Sequence, residues 1–161
     1  MNMNKDIDRW HRHFLGLALY HARMSKDPDT QVGAIIVGPS REIRSAGFNG
    51  FPMGILDNLR LKDRPTKMRL IVHAEMNAVL LAARVGVPLD GCTMYIACTD
   101  SSGMVWAGPP CTRCAMEIIQ SGINRIVYYP RKQVSRWKQD IDFAASALEE
   151  AGILLQEVSL S

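Results

Sequence analysis

Pro110-Cys111-Thr112-Arg113-Cys114, taken with His73-Ala74-Glu75 about forty residues before it, sets how the rest of the chain reads. Cysteines at i and i+3 place both sulfurs on one side of a first helical turn. Pro110 directly before them suits a helix start, where a missing N–H costs nothing. A helix N-terminus stabilises thiolate, the form of cysteine that ligates zinc. With His73 the set has three protein ligands and leaves a fourth tetrahedral position for water. That is the make-up of a catalytic zinc site, since structural zinc is normally closed by four protein ligands. Glu75, two residues from His73, can reach such a water without ligating the metal.

Two other readings compete. A Cys-x-x-Cys pair can be half of a structural zinc knuckle, and Cys92 or Cys98 could then supply a fourth ligand. It can also be a redox pair, but that reading leaves His73 and Glu75 without a role.

At 161 residues the chain is expected to form one domain, 1–161, burying roughly two-thirds of its unfolded surface. Its 47% apolar and 22% charged content are those of an ordinary soluble protein. No run approaches the eighteen or so apolar residues a membrane helix requires, and the first residues carry no signal-peptide core. Two of four cysteines are given to metal, so Cys92 and Cys98 read as free thiols. The expected compartment is the reducing cytoplasm. A net charge of +3 does not argue for a nucleic-acid partner. The densest basic run, Arg131, Lys132, Arg136 and Lys138 around Trp137, reads as a solvated loop and helix start.

From the N-terminus, Ile7, Trp10, Phe14, Leu17, Ala18 and Ala22 recur at helical spacing over residues 5–24. His21 falls on or beside that stripe and reads as a packed or interface histidine instead of a fourth metal ligand, while His11 and His13 are expected at the surface. Pro28 ends the helix. Residues 31–37 read as a buried strand and 42–48 as its hairpin partner. Asn49-Gly50-Phe51-Pro52-Met53-Gly54 resembles a binding loop more than a tight turn. Residues 57–67 are expected to be loop or frayed helix. A helix then follows His73 and stops at Gly86. At i and i+2, His73 and Glu75 would diverge by about 200° in mid-helix, so they can converge only at the helix entrance. Residues 93–98, 125–129 and 153–158 read as further strands, 99–109 as a loop, and 134–151 as containing a last helix. Together these predict a three-layer α/β/α sandwich with a mixed five-stranded sheet. Both metal-binding helices begin on one edge of that sheet.

Four segments then resemble the cytidine and deoxycytidylate deaminase superfamily, nearest its dCMP deaminase branch. They are Ser25-Lys26-Asp27-Pro28 with Gln31-Val32-Gly33-Ala34, Gly47-Phe48-Asn49-Gly50-Phe51-Pro52, His73-Ala74-Glu75-Met76-Asn77-Ala78, and the Pro110–Cys114 stretch. His-x-Glu followed by Pro-Cys-x-x-Cys is the signature of zinc-dependent base deaminases. The resemblance implies hydrolysis of dCMP to dUMP and ammonia, in pyrimidine nucleotide metabolism, by a homo-oligomer. It implies zinc on His73, Cys111 and Cys114, with Glu75 shuttling protons. Asn49 would contact the deoxyribose hydroxyl, Ala74 would offer its backbone to the ring, and Ser25 and Lys26 would lie near the phosphate. Other cytosine nucleosides and nucleotides, a base in single-stranded nucleic acid, or a zinc-stabilised binding module without turnover are the competing functions. The chain departs from familiar members in its long 99–109 segment, which must lie beside the site. It also departs at Pro130-Arg131-Lys132-Gln133, where acidic and aromatic residues are common; dCTP and dTTP are effectors of some members.

Overall fold

Two near-continuous apolar runs occupy the middle of the sheet. In the computed structural model, which describes residues 3–131 and 137–159, β1 (Thr30–Val37) and β3 (Thr93–Asp100) pair antiparallel from Thr30↔Asp100 to Val37↔Thr93. Ala34, Ile35, Ile36 and Val37, like Met94 to Cys98, are buried. A strand covered on both faces needs such a run rather than alternation. β2 (Ile43–Phe48) is the hairpin partner of β1, as its sequence predicts. β5 (Arg125–Tyr128) and β6 (Leu154–Glu157) add in parallel on the far side of β3, giving the order β2-β1-β3-β5-β6.

The sheet has one strand more than the five expected. Residues 99–109 are not simply a loop: β3 continues to Asp100, and β4 (Val105–Trp106) folds back onto Cys98 and Thr99. β5 pairs with β3 only from Thr93 to Ile96, so the backbone of Cys98 and Thr99 would lack partners on that side, and β4 supplies them. Asp100 closes the turn, its Oδ1 accepting from the backbone N–H groups of Ser102 and Met104.

The helices are α1 (Met3–Ala22), α2 (Arg64–Leu70), α3 (Ala74–Val85), α4 (Thr112–Gln120) and α5 (Lys138–Glu150). β2 and β3 are both antiparallel to β1, so the crossovers through α3, α4 and α5 all join parallel strands and step the same way. Right-handed crossovers put those three helices on one face, and α1 covers the other. That is the expected three-layer sandwich.

Two glycines let helices approach the sheet at backbone distance. A Cβ on Gly33 would lie 2.0 Å from the Ala18 carbonyl oxygen of α1, and one on Gly47 2.3 Å from that of Ala74 in α3. α3 is further tied to β2 where Asn77 donates to the Phe48 carbonyl (2.7 Å) and Ser45 to that of Ala78 (2.7 Å).

Three local expectations are corrected. His11 is not a surface group: it is 5% exposed, with Nδ1 3.1 Å from the Tyr95 hydroxyl. It sits at i−3 from Phe14 and i−4 from Leu15, on the face α1 turns to the sheet; His13 is exposed as expected. Residues 57–67 are more ordered than a frayed segment. They form a 3₁₀ turn (Leu59–Leu61), and Asp63 caps α2 by accepting from the Thr66 N–H. Pro110 precedes the helix cap instead of opening the helix, because Cys111 itself is the extended N-cap residue. Of the basic run, Lys132 and Arg136, with Gln133 and Val134, lie outside the described residues.

Candidate active site

The carboxyl ends of β2, β3 and β5 meet the N-termini of α3 and α4 at one edge of the sheet, the usual place for a site in an open α/β fold. His73 and Cys111 are each the residue before a helix, with extended backbones (φ −71°, ψ 155° and φ −67°, ψ 164°). Neither side chain caps its own helix, so both are left to point elsewhere. They converge. The His73 Nδ1 lies 3.4 Å from Cys111 Sγ and 3.4 Å from Cys114 Sγ.

Those distances test the fit to zinc. Zn–S bonds of about 2.3 Å and Zn–N of about 2.0–2.1 Å at a tetrahedral angle put nitrogen and sulfur roughly 3.5 Å apart. His73 therefore stands already at the edge length of a zinc tetrahedron from each cysteine. Among the described residues they are the one group of His, Cys and carboxylate ligand atoms that all lie within 4.8 Å of one another. Cys92 and Cys98, the candidates for a closed structural site, stay outside it. Cys98 donates to the Trp106 carbonyl (2.9 Å), and Cys92 faces the Asp90 carbonyl near the start of β3.

Hydrogen bonds within the triangle shift the proton affinities of its members. Hydrogen bonding from the Cys114 thiol and from His73 pulls Cys111 down to about 4. The same bond to Cys111, with burial, pushes Cys114 up. The hydrogen bond to Cys111 also raises His73 to about 9, against burial. Zinc binds thiolates and neutral imidazole, so its binding here would release protons.

Glu75 follows in the first turn of α3, 7% exposed and outside ligand range. Burial raises its pKa, and the charge of His73 partly offsets that. It shares an open cavity of about 280 Å³ with His73, Cys111, Ala74 and Asn49.

Asn49 is fastened to β1. Its Oδ1 accepts from the Val32 N–H (2.8 Å) and its Nδ2 donates to the Thr30 carbonyl (2.9 Å). An amide has two donors and two lone pairs, so one of each is spare. The structure does not bring Ser25 and Lys26 to this cavity. Ser25 is buried, its hydroxyl accepting from the Asp27 N–H, and Lys26 is exposed and paired with Asp57 (2.9 Å). The cavity's cations come from α2: Arg64 and Lys67. Burial alone would pull Lys67 down, but its hydrogen bonds to Asp29 and Asp27 outweigh that and hold it above its ordinary value. No local signal in 57–67 marks Lys67 as a wall residue; its partners lie about forty positions away.

The 99–109 segment lies beside the site as the sequence suggests, whereas Asp140 escapes sequence reading. Trp106, Ala107, Gly108 and Pro109 wall the cavity beside the metal triangle, so the long segment after β3 is part of the site. Asp140, from α5, accepts from the Thr112 N–H (3.1 Å) and hydroxyl (2.7 Å). It thereby satisfies the N-terminus of α4 that Cys111 leaves uncapped.

Comparison with known proteins follows the same residues. A family model, the cytidine and deoxycytidylate deaminase zinc-binding region, matches residues 8–130. An uncharacterised deaminase of the luxG 3′ region of Aliivibrio fischeri is 37% identical over 150 residues, covering 91% of this chain and 92% of its own length. The deoxycytidylate deaminase of Mus musculus is 35% identical over 133 residues, 79% of this chain and 68% of its own. In fold, the crystal structure of the cyanophage S-TIM5 dCMP deaminase in complex with dCMP and dUMP superposes with a TM-score of 0.71. It is 23% identical and covers 98% of both chains.

Proposed function

The chain belongs to the cytidine and deoxycytidylate deaminase family, and from that premise we propose that it hydrolyses dCMP to dUMP and ammonia. The observation that carries the reading is the buried Glu75 carboxylate, set in one cavity with His73 and Cys111 of the metal triangle but outside ligand range. His73, Cys111 and Cys114 would hold the zinc. Bound there, zinc supplies the nucleophile by lowering the pKa of a water from about 15.7 towards about 7.

The rest is done by the chain's own groups. Glu75 takes a proton from the attacking water and delivers it to N3 of the pyrimidine. As the C4–O bond forms and the C4–N bond breaks, it passes a proton to the departing ammonia. A carboxylate whose pKa is raised by burial is a better donor on the second of those steps than an ordinary one. Positioned proton transfer of this kind supplies about 10²–10⁴-fold. Ala74 opens α3, and the first N–H groups of a helix have no partner within it, so its backbone is available to the ring. Asn49 offers its spare amide N–H or lone pair to the sugar hydroxyl. The Trp106–Pro109 wall limits water at the ring.

For the phosphate, Arg64 is the cation best placed. It is exposed, lines the cavity and has no carboxylate partner among the described residues, whereas Lys26 is committed to Asp57 and Lys67 to two aspartates. The experiment is a set of steady-state rates on dCMP, dCTP, cytidine and a cytosine oligonucleotide. dCMP should give the highest kcat/KM, and Arg64→Ala should lower it roughly tenfold or more, the worth of a charged hydrogen bond, without touching cytidine. A higher kcat/KM on any of the other three would replace dCMP as the substrate.

A further inference from the structure

A second cavity, of about 320 Å³, opens at the opposite edge of the sheet, where β1 ends and β3 and β5 begin. It lies at the lower end of the range for ligand pockets, about 300–1,000 Å³. Its wall is rich in donors and poor in acceptors. Arg41, Arg125, Trp10, His11, Tyr95 and Asn124 line it, and among the described residues no aspartate or glutamate does.

Arg125 is placed for an incoming charge, with Arg41 beside it in the same wall. Arg125 is half-buried at the first position of β5, and its guanidinium has no ion pair or hydrogen bond among the described residues. Arg41 holds a left-handed backbone (φ 68°), unusual for a residue with a Cβ, and its guanidinium lies 4.6 Å over the Trp10 ring. Both guanidinium charges act on the Tyr95 hydroxyl.

The neutral groups lean the same way. His11 is held below its ordinary pKa by burial and by Arg125, against a pull from Asp8, which is itself paired with Arg12. In the neutral tautomer that accepts the Tyr95 hydroxyl proton at Nδ1, the ring proton sits on Nε2. That nitrogen is buried without a partner, and so is the indole N–H of Trp10. A buried donor left unmade is destabilising, and two beside two guanidiniums call for one kind of guest. We propose that this cavity is a binding site for a phosphate-class oxyanion, separate from the deaminase site. Arg41 and Arg125 act as the charged fork, since guanidinium geometry matches phosphate oxygens two at a time.

The test titrates the zinc-loaded protein calorimetrically at low ionic strength with inorganic phosphate and, separately, with ATP, which lacks cytosine. Saturable binding should be weakened roughly tenfold or more in Arg125→Gln and in Arg41→Gln. It should be retained in Arg64→Ala, which alters only the deaminase cavity. Thermal melts of the unliganded variants should match the wild type, and Arg125→Lys should recover part of the affinity. Equal affinities for phosphate and ATP would assign the site to the free ion, and tighter ATP binding to a nucleotide. Binding unchanged in both arginine variants, binding lost in Arg64→Ala, or no saturable heat with either probe would overturn the proposal.

Discussion

Gly47→Ala should damage the site through the packing of α3 on β2 rather than through any chemical group. The added Cβ would lie 2.3 Å from the Ala74 carbonyl oxygen and 2.4 Å from the Ala78 nitrogen, where ordinary contact begins at 3.4 Å. Both obstacles are backbone, so neither can swing away, and α3 must retreat from β2 by about 1 Å. Overpacking of this kind costs about 1–3 kcal/mol, and with two backbone clashes the upper end applies. At roughly 2–4 °C per kcal/mol for a chain of this size, the melting temperature should fall by about 6–12 °C. Because α3 carries Glu75 in its first turn and follows directly on His73, a shift of that size should also lower kcat by around 10²-fold. Gly16→Ala is the matched control. Gly16 lies within α1 with nothing within 4 Å of a Cβ, so the same substitution there should stabilise by about 0.5–1 kcal/mol. Thermal denaturation and single-turnover rates on the zinc-loaded variants read both effects. A Gly47→Ala protein that melts and turns over like the wild type would mean that α3 does not sit on β2 at backbone distance.

Other consequences can be checked alongside. Cys111→Ala and Cys114→Ala should each lose zinc and activity together, since two remaining protein ligands hold the ion poorly; full zinc occupancy by elemental analysis would point to Cys92 or Cys98. Asp140→Ala should cost about 1–2 kcal/mol through loss of the α4 cap and weaken zinc binding, whereas a cap that matters only for stability would leave competitive zinc titration unchanged. Burial holds His11 and His21 below the ordinary value of 6.5 in the folded chain. The unfolded chain therefore binds more protons below pH 6.5, and stability should fall as pH drops from there. Urea midpoints across that range should show the fall, and His11→Asn should flatten it; an unchanged slope would mean His11 titrates normally in the fold.

What could be read from the sequence was what sits close together along it. The metal triangle was legible because Cys111 and Cys114 share one helical turn and because His73 and Glu75 can meet only at a helix entrance. The strands followed from apolar runs of the right length, and the mixed hairpin and parallel pairing from the turns and helices between them. The missing parts depend on the fold bringing distant residues together. Lys67 meets Asp27 and Asp29 only once α2 has packed beside the start of β1. Asp140 caps α4 from twenty-eight positions downstream. β4 exists because β5 stops short along β3, which no property of Val105-Trp106 announces. His11 is different: its spacing to Phe14 and Leu15 placed it on the buried face, and its polarity concealed this. Lys26 shows the reverse, a residue whose motif suggested the site and whose side chain turns to Asp57 instead.

The most direct measurement is ammonia release from dCMP by the zinc-loaded Glu75→Gln protein, with bound zinc determined on the same sample. Glutamine fills nearly the same space, and Glu75 is not among the three ligand residues, so zinc content and melting temperature should match the wild type. Turnover should fall by about 10²–10⁴-fold, the contribution of a positioned proton-transfer group. Near-normal turnover with zinc in place would take Glu75 out of the reaction. Loss of zinc along with activity would make it a metal-holding residue and contradict the separation of roles the site is built on.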